Sequence, residues 1–485
     1  MMLYAAVVIC LCFYLLYRNF GKHPNEPPWY PYWTPWLGCA IKFGEAPLHF
    51  IDLARKKLGA TFSVLVAGKR MTFVTDPDDY GIYFQSPQSD FQQAIQPFLE
   101  KAAGISASSY ARHHKQIHDA VKGRLSRIQL SRFCETLAQS FRQKFLELGQ
   151  GGEADLMKTI RNVLFVSTVP LLFGKETLPE DELDAEKFQD AFVKFDEDFE
   201  YGAELPSIFV RQLVKCKKIL IDKFTSVVNQ LYRKGLSQSS SSSDKTVLES
   251  FVSAVDRENA PRYALLLLWA SQVNAIPATF WTVAFILQND EIHQKVVQEA
   301  LDVLDDDSGF SSGTLSEEAI KKLTFTRKCT HSLDSSSTNQ LRNLPRCVLE
   351  AIRLRSPGAV FRKAVGPLKL KNYTIPSGHF IMLSPYWSHR NPLFFPDPET
   401  FNPSRWDKAE LEKNLFLEGF VAFGRGRFQC PGRWFAVMEI QIAVAIFFRL
   451  FHLELLDPVP QPSPLHLTGT QQPMKPCSIR FHVRT

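Results

Sequence analysis

A lone cysteine lies in a glycine-rich loop directly before an apolar run near the C-terminus. Segment 423–432 reads FGRGRFQCPG, and the run 434–450 that follows Cys430 predicts a buried helix. Backbone amides at a helix N-terminus lower the pKa of a thiol and favour the thiolate. We therefore expect Cys430 to act as a nucleophile or a metal ligand. An inert buried cysteine is the alternative, because most lone cysteines pack as small apolar residues.

The residues around this cysteine suit a flat cofactor. Gly424 and Gly432 let the backbone approach such a molecule closely, because neither carries a Cβ atom. Phe423 can pack against the face of the cofactor or beside the sulfur.

Two charged residues upstream have the spacing of an ion pair. Glu350 and Arg353 stand at positions i and i+3 and share one face of a predicted helix. The alternative is an ion pair solvated at the protein surface.

An uncharged run, 263–287, is long enough to span a membrane. Polar residues cluster around its midpoint at Asn274, where lipid would tolerate them least, so a helix through the core of a large domain fits better. Pro277 cannot donate to the carbonyl of Val273, which predicts a kink and a polar notch beside Asn274.

Three motifs occur together in the order found in the cytochrome P-450 superfamily. The loop 423–432 resembles its F-x-x-G-x-x-x-C-x-G signature, 350–353 its E-x-x-R helix, and 401–406 its F-x-P-x-R-W segment. The resemblance implies a mainly α fold with a small β subdomain. It implies that Arg405 completes a charge network with Glu350 and Arg353 and holds the thiolate loop in place. It also implies haem b with Cys430 as the axial iron ligand, and insertion of one oxygen atom from dioxygen with electrons from NADPH through a reductase.

Asn274, the polar residue at the midpoint of the predicted core helix, indicates which branch of the superfamily the chain resembles. Asn274 stands where most members have an alcohol for proton relay, as in the sterol 7α-hydroxylase and prostacyclin synthase branch. An amide hydrogen-bonds dioxygen or water but donates protons poorly. Asn274, the expected catalytic partner of Cys430, therefore does not separate hydroxylation from isomerisation.

Segments 196–202, 265–280 and 465–469 are similar to the microsomal oxysterol 7α-hydroxylases. This similarity implies 7α-hydroxylation of oxysterols, with 24-hydroxycholesterol preferred, in bile acid synthesis and cholesterol catabolism. Contacts to the sterol are expected from Trp269, Ala275 and Leu467. Two alternatives stay open: a haem-thiolate isomerase of the prostacyclin synthase type, and a haem-binding protein inactivated by its atypical serine- and threonine-rich insertion at 326–343.

Haem propionates and the reductase need basic partners. Arg362 matches the propionate-binding arginine of the family, and His114 is a weaker candidate whose alternative is an ordinary solvated helix position. Phe428 stands where most members have a basic residue. Arg425 and Arg427 within the loop, and Arg433 directly after it, are candidates for docking an acidic reductase surface.

The N-terminus predicts a membrane anchor. Residues 1–17 carry no charge and are followed by basic residues without a small-residue cleavage site, although a removed signal peptide is the alternative. The linker 18–36 is rich in proline and aromatic residues. We expect a single pass through the endoplasmic reticulum membrane and one cytosolic catalytic domain, 37–485.

Composition excludes several other classes. Among 485 residues, 56 Lys and Arg against 50 Asp and Glu leave a net charge of +6, too dilute for nucleic-acid binding. Nine cysteines lack the density of a disulfide scaffold. Two β-branched and aromatic runs between 61 and 75 predict a hairpin. We expect a monomer.

Overall fold

The computed structural model describes residues 25–204, 207–235, 245–305, 343–408, 416–465 and 467–484. The predicted anchor 1–17, the start of the linker 18–36 and residues 326–342 of the predicted insertion lie outside the described residues. Their predictions therefore remain predictions.

Helices dominate the described chain. Their bounds are Ala40–Glu45 (α1), Pro47–Leu58 (α2), Tyr80–Gln85 (α3), Phe91–Ala103 (α4), Ala107–Arg124 (α5), Leu130–Leu146 (α6), Leu156–Phe173 (α7), Glu182–Glu197 (α8), Phe199–Glu204 (α9), Arg211–Arg233 (α10), Val247–Val252 (α11), Ala260–Gln272 (α12), Ala275–Leu287 (α13), Asp290–Asp305 (α14), Asn343–Arg355 (α15), Pro385–His389 (α16) and Arg433–Leu450 (α17).

The strands are short. Their bounds are Thr61–Val66 (β1), Lys69–Val74 (β2), Ser89–Asp90 (β3), Gly151–Asp155 (β4), Val360–Ala364 (β5), Leu368–Lys369 (β6), Thr374–Ile375 (β7), Phe380–Leu383 (β8), Phe451–Leu455 (β9) and Ser478–Val483 (β10). The chain divides into two compact units. The first comprises residues 25–95, 359–388 and 425–428, and the second comprises the described residues among 96–358, 389–424 and 429–484.

The first unit is built on a five-stranded sheet in the order β1-β2-β8-β5-β3. Strands β1 and β2 form the predicted antiparallel hairpin, and β8 runs parallel to β2. The rings of Phe62 and Phe73, which are cross-strand partners, stack at 5.3 Å. Such aromatic pairs stabilise a sheet by packing directly opposite each other.

The second unit is mainly helical. Its helix α17 is buried along almost its whole length and packs against α6, where Phe145 stacks on Phe447 at 4.4 Å. A three-stranded antiparallel sheet in the order β4-β10-β9 completes this unit. The core helix α17 thus begins at Arg433, directly after the Pro-Gly pair that follows the loop cysteine.

The predicted core helix 263–287 is two helices, α12 and α13, that meet at Val273 and Asn274. This break places Pro277 in the first turn of α13, where a backbone N–H has no partner inside the helix, so its missing donor costs nothing. Within the described residues, the pair α12–α13 and the helix Leu156–Phe173 are two apolar stretches long enough to span a membrane, but both are mostly buried among other residues. The core interpretation is supported, and the polar notch lies at the break.

Candidate active site

The cysteine loop ends at the N-terminus of α17. Gly432 caps this helix, and the backbone N–H groups of Gly432 and Arg433 donate to the Cys430 sulfur. The Cys430 N–H donates to the Phe423 carbonyl at 2.9 Å, which closes the loop on itself. Gly424 adopts φ +67°, a conformation that favours glycine. Cys430 is therefore held at one place by its own backbone.

The expected lowering of the Cys430 pKa is wrong on balance. The two amides and the Arg433 guanidinium lower the pKa, but desolvation by the surrounding protein outweighs them and raises the pKa above that of an ordinary thiol. The prediction took into account the helix N-terminus, which lowers the pKa of the thiol, and left out the desolvation, which raises it.

Phe423 belongs to an aromatic cluster in the second unit. Its ring contacts those of Phe416 and Phe420 at 5.6 and 6.0 Å between centroids. Phe416 stacks on Trp434 of α17 at 5.2 Å, and Phe420 meets Trp406 edge to face at 4.9 Å. The cluster joins the start of the cysteine loop to the helix that follows it.

The predicted network of Glu350, Arg353 and Arg405 forms, and it is buried. Glu350 and Arg353 are 0% exposed, which excludes the solvated surface pair. Arg353 donates to both carboxylate oxygens at 2.9 and 2.8 Å, and Arg405 Nε donates to Oε1 at 2.9 Å. Two partners were missed by sequence reasoning: the Trp406 indole N–H at 2.9 Å and the Asn402 backbone N–H at 3.0 Å. Glu350 thus accepts five hydrogen bonds.

His389, also missed from the sequence, connects this network to the cysteine loop. The Val421 backbone N–H donates to His389 Nε2 at 3.1 Å, so the other ring nitrogen, Nδ1, donates to the Arg353 carbonyl at 3.0 Å. Burial and the Arg353 guanidinium hold the pKa of His389 well below its usual value, so the imidazole ring stays neutral. The ring stacks on Phe420 at 5.0 Å.

Asn274 lies at the helix break with its side chain exposed, and its amide oxygen is engaged. It accepts from the Thr470 backbone N–H at 2.9 Å and from the Thr470 hydroxyl at 3.2 Å. The Thr470 hydroxyl lies 2.7 Å from that of Ser356. The Thr470 hydroxyl therefore stands beside the Asn274 amide, with the Ser356 hydroxyl next to it, and a threonine so distant in sequence gave no signal of this contact.

The predicted sterol-contacting residues lie near two acidic side chains. Trp269 donates from Nε1 to Asp196 at 2.9 Å and stacks on Phe199 at 4.0 Å. Glu200 accepts from the backbone N–H of Leu467 at 3.0 Å and so fixes the loop that carries this residue. The same oxygen accepts from the backbone and hydroxyl of Thr468. Ala275 is buried at the start of α13.

Arg362 belongs to the first unit and is 2% exposed. Its guanidinium lies over the rings of Phe91, Phe428 and Tyr83 at 4.9, 5.3 and 5.6 Å and donates to the neighbouring Phe361 carbonyl at 2.9 Å. Within the described part of the chain, no carboxylate lies within salt-bridge distance of Arg362. A buried cation without an anion suits a ligand that carries a carboxylate.

His114 lies in α5 of the second unit. Its Nδ1 stands 3.0 Å from the Tyr110 carbonyl one turn earlier, and its ring packs on the Tyr110 ring at 5.1 Å. These contacts orient the imidazole, and its predicted role stays a prediction.

Comparison with known proteins decides the family. The family model described as cytochrome P450 matches residues 27–481. The chain belongs to the cytochrome P450 family. The mainly α fold with small sheets is the fold of that family, and a haem iron, dioxygen-dependent monooxygenation and a redox partner follow from membership.

Several relatives match this cytochrome P450 over nearly their full length. A human protein named 24-hydroxycholesterol 7-alpha-hydroxylase is 37% identical over 479 residues, 98% of this chain and 97% of the relative. The mouse protein of the same name is 35% identical over 480 residues, 99% and 98% of the two chains. A pig protein named 5-beta-cholestane-3-alpha,7-alpha-diol 12-alpha-hydroxylase is 28% identical over 515 residues, 99% and 97%.

The chemistry of the donors in this cytochrome P450 fits haem. A thiol that accepts two backbone N–H groups can ligate iron as the thiolate, and a buried guanidinium without a carboxylate suits a propionate. Each group is already held by its own unit.

Proposed function

We propose that this cytochrome P450 hydroxylates oxysterols at carbon 7 on the α face, with 24-hydroxycholesterol preferred. It would use dioxygen and electrons from NADPH delivered by NADPH-cytochrome P-450 reductase, in bile acid synthesis and cholesterol catabolism. The observation that carries the proposal is the 37% identity, over 98% of this chain, to a relative with that activity in its name.

Cys430 is proposed as the residue whose thiolate would bind the iron of haem b. The amides of Gly432 and Arg433 would hold its sulfur, while Phe423, Gly424 and Gly432 would border the cofactor. When bound, haem supplies the activation of dioxygen for insertion of one oxygen atom into an unactivated carbon. Glu350, Arg353 and Arg405 would keep the loop in place through the buried network.

Arg362 is proposed to pair with a haem propionate, with His114 as a second donor. The support for Arg362 is its burial without a carboxylate partner in the described residues. For His114 the support is its fixed ring orientation.

Asn274 is proposed to position the proton donor rather than to be one. Its amide oxygen accepts from Thr470, whose hydroxyl also meets Ser356. A hydroxyl donates and accepts a proton more readily than a carboxamide does. The chain from Ser356 through Thr470 to Asn274 would therefore hold a proton at the notch between α12 and α13.

Trp269, Ala275 and Leu467 are proposed to contact the sterol. A rigid apolar ring system needs few polar anchors, and these residues offer mainly apolar surface. Glu200 would fix the Leu467 loop against the end of α8–α9 by accepting its backbone N–H groups.

The protein is proposed to be a monomer held in the endoplasmic reticulum membrane by a single N-terminal pass, with its catalytic domain in the cytosol. Support comes from Trp33 and Trp36 in the linker, which are 93% and 65% exposed and suit a membrane interface. Arg425 and Arg427 are exposed and available to an acidic reductase.

The haem-thiolate assignment is tested by the carbon monoxide difference spectrum of the reduced, purified protein. Wild type should give the red-shifted Soret band typical of a thiolate ligand, and Cys430→Ala should lose it. Cys216→Ala, which removes a buried thiol on α10, is the matched control and should keep the band. A thiolate-type band in Cys430→Ala would refute the assignment of the ligand.

Dependence on NADPH separates the proposed hydroxylase from an isomerase of the prostacyclin synthase type. Hydroxylation needs NADPH, reductase and dioxygen, whereas rearrangement of a peroxide needs none of them. Turnover of a sterol only when all three are present supports the hydroxylase. Turnover of a peroxide in their absence would favour the isomerase.

A further inference from the structure

Asp196, near the end of α8, lies at the boundary of two hollow spaces in the second unit. The larger is a cavity of about 580 Å³ lined by residues of α7, α8, α12 and α13. The smaller is a narrow gap whose lining includes Trp269 and Thr470, the partner of the notch amide. Asp196, Val273 and Gln472 line both spaces. A ligand that passes from the cavity toward the notch therefore meets the Asp196 side chain.

One carboxyl oxygen of Asp196 is available to such a ligand. Oδ1 accepts from the Trp269 indole N–H at 2.9 Å, and Trp269 is itself held by stacking on Phe199 at 4.0 Å. Oδ2 accepts no hydrogen bond from the described residues. It is not sealed inside the protein, because Asp196 is partly exposed to the spaces that it lines. The protein thus fixes one oxygen and leaves the other open to a bound molecule.

The other carboxylates that line the cavity already have partners. Both oxygens of Asp155 accept from backbone N–H groups, at 2.7 and 3.1 Å. Glu197 is exposed to water and pairs with Lys194 at 3.3 Å. Asp196 is therefore the enclosed carboxyl of this lining that can take a hydrogen bond from a ligand.

The charge state of Asp196 suits a hydroxyl. Desolvation raises its pKa to about 7, although the Trp269 indole and the Arg161 guanidinium lower it. The neighbouring carboxylates Glu200 and Glu197 raise the pKa further. Near neutral pH the carboxyl is therefore protonated in a large share of molecules. A protonated carboxyl donates and a carboxylate accepts, so a hydroxyl, which does both, is matched in either state.

The cavity wall is mixed rather than apolar. Phe192, Ile276 and Pro277 are buried apolar residues of this wall, and Arg161 and Lys475 are its cations. Cavities of roughly 300–1,000 Å³ bind small organic molecules. A lining of this kind suits the polar end of an otherwise apolar molecule.

A preference for one oxysterol requires a partner for the hydroxyl that other sterols lack. Cholesterol has the rings and the 3β-hydroxyl of 24-hydroxycholesterol and lacks only the side-chain hydroxyl. An apolar pocket separates two such molecules weakly, whereas a site that hydrogen-bonds the extra hydroxyl separates them strongly. Among the proposed sterol contacts, Ala275 and Leu467 are apolar, and the Trp269 N–H is already taken by Asp196. The open oxygen of Asp196 can supply the missing partner.

We propose that Asp196 is the specificity-determining residue of this enzyme, with its Oδ2 hydrogen-bonded to the side-chain hydroxyl of a 24-hydroxysterol. The inference rests on the proposed function, because it assigns one group of that substrate to a residue of the same site. The sterol side chain lies at the boundary of the cavity and the gap, and the rings extend toward the notch between α12 and α13. Trp269 positions the carboxyl by donating to its other oxygen.

Equilibrium dialysis of the haem-loaded, full-length protein tests this contact, with labelled 24-hydroxycholesterol and labelled cholesterol as the two probes. Wild type should bind 24-hydroxycholesterol about 10- to 100-fold more tightly than cholesterol. Asp196→Leu should bring this ratio close to 1 by weakening the binding of 24-hydroxycholesterol alone. Asp196→Asn should keep most of the ratio, because its amide oxygen can accept from Trp269 while its amide nitrogen donates to the sterol hydroxyl.

Glu197→Leu is the matched control, because Glu197 is the next residue, is acidic and lines the same cavity, but pairs with Lys194. It should leave the ratio unchanged. A third probe, 24-hydroxycholest-5-ene, lacks the 3β-hydroxyl and keeps the side-chain hydroxyl. Asp196→Leu should weaken its binding as much as that of 24-hydroxycholesterol. The carbon monoxide spectrum of every variant should match that of wild type, which shows that the haem site is intact.

Three results would overturn the proposal. One is equal binding of the two sterols by wild type. Another is equal weakening of both sterols in Asp196→Leu, since the residue would then support the fold only. The third is loss of the Asp196→Leu effect with 24-hydroxycholest-5-ene, which would place the 3β-hydroxyl at Asp196. Dialysis needs no turnover, so oxidation at a carbon other than 7 would defeat the proposed function and leave this contact standing.

Discussion

Two glutamates in the second unit are equally buried and are stabilised in opposite ways. Glu350 on α15 and Glu439 on α17 are both 0% exposed. Glu350 accepts five hydrogen bonds, three of them from two guanidinium groups. Glu439 accepts one, from the Thr168 hydroxyl, and its other oxygen has no partner among the described residues.

The difference shows what burial of a carboxyl requires. Without a cation, desolvation raises the pKa of Glu439 to about 8, so this side chain is mainly protonated at neutral pH. At Glu350, guanidinium, indole and backbone donors replace water around the carboxylate. Glu350 therefore binds charged side chains from other segments of the chain, whereas Glu439 is an uncharged residue in the core.

Glu350→Gln should have the largest effect. The amide cannot accept from two arginines as a carboxylate does, and Arg353 would be left as a buried, uncompensated cation. Loss of one partner from a buried pair costs about 3–5 kcal/mol, and the His389 link should carry the disturbance to the cysteine loop. We expect a large fall in Tm and in haem content. Normal values of both would contradict the role given to the network.

Glu439→Gln should raise the free energy of unfolding relative to wild type, and it should do so only at higher pH. The folded-state pKa of about 8 lies above the ordinary glutamate pKa of 4.5, so the stability gained from protonation is complete at low pH. It is lost as the pH rises from about 4.5 to about 8, by up to about 5 kcal/mol. Chemical unfolding at pH 5, 7 and 9 should show this fall in wild type and not in the variant. Parallel pH profiles would sink the interpretation.

Trp406→Phe tests one donor of the Glu350 set. The phenyl ring keeps most of the packing against Phe420 and removes the N–H that donates to Glu350 at 2.9 Å. A hydrogen bond to a charged group contributes about 1.5–3 kcal/mol, so we expect a loss of about 2 kcal/mol in unfolding free energy. A loss below about 0.5 kcal/mol would show that the indole is not needed.

Thr168→Val tests the single donor of Glu439 and should have the smallest effect. Valine keeps the shape of threonine and removes the hydroxyl that donates to the carboxyl. A loss of about 1 kcal/mol at neutral pH is expected, with a further rise in the Glu439 pKa. A lower pKa in this variant, measured from the same pH series, would contradict the assignment of Thr168 as donor.

The sequence predicts the Glu350 network because Glu350 and Arg353 share one helix motif and Arg405 stands in a second family motif 55 residues from Glu350. It gives no indication of the Glu439 arrangement. Glu439 sits in an apolar run, and its partner is 271 residues away. Thr470 beside Asn274 escaped prediction for the same reason, since 196 residues separate them. Contacts of this kind depend on tertiary packing, which periodicity does not encode.

Local signals did predict the elements. The β-branched runs gave the β1–β2 hairpin, and the polar residues around Asn274 marked the break between α12 and α13. The predicted lowering of the Cys430 pKa was wrong because the sequence shows the helix N-terminus but does not show the desolvation of the thiol. His389 and Trp406 were missed because their partners are distant in sequence: His389 contacts the backbone of Val421 and Arg353, 32 and 36 residues away, and Trp406 donates to Glu350, 56 residues away.

The most direct test of the proposed function is the position of the new hydroxyl on 24-hydroxycholesterol. The haem-loaded protein is incubated with reductase, NADPH and dioxygen, and the product is identified by nuclear magnetic resonance. A hydroxyl at carbon 7 on the α face, formed only in the complete mixture, is the expected result. Oxidation at another carbon, or conversion without NADPH, would contradict 7α-hydroxylation as the function of this cytochrome P450.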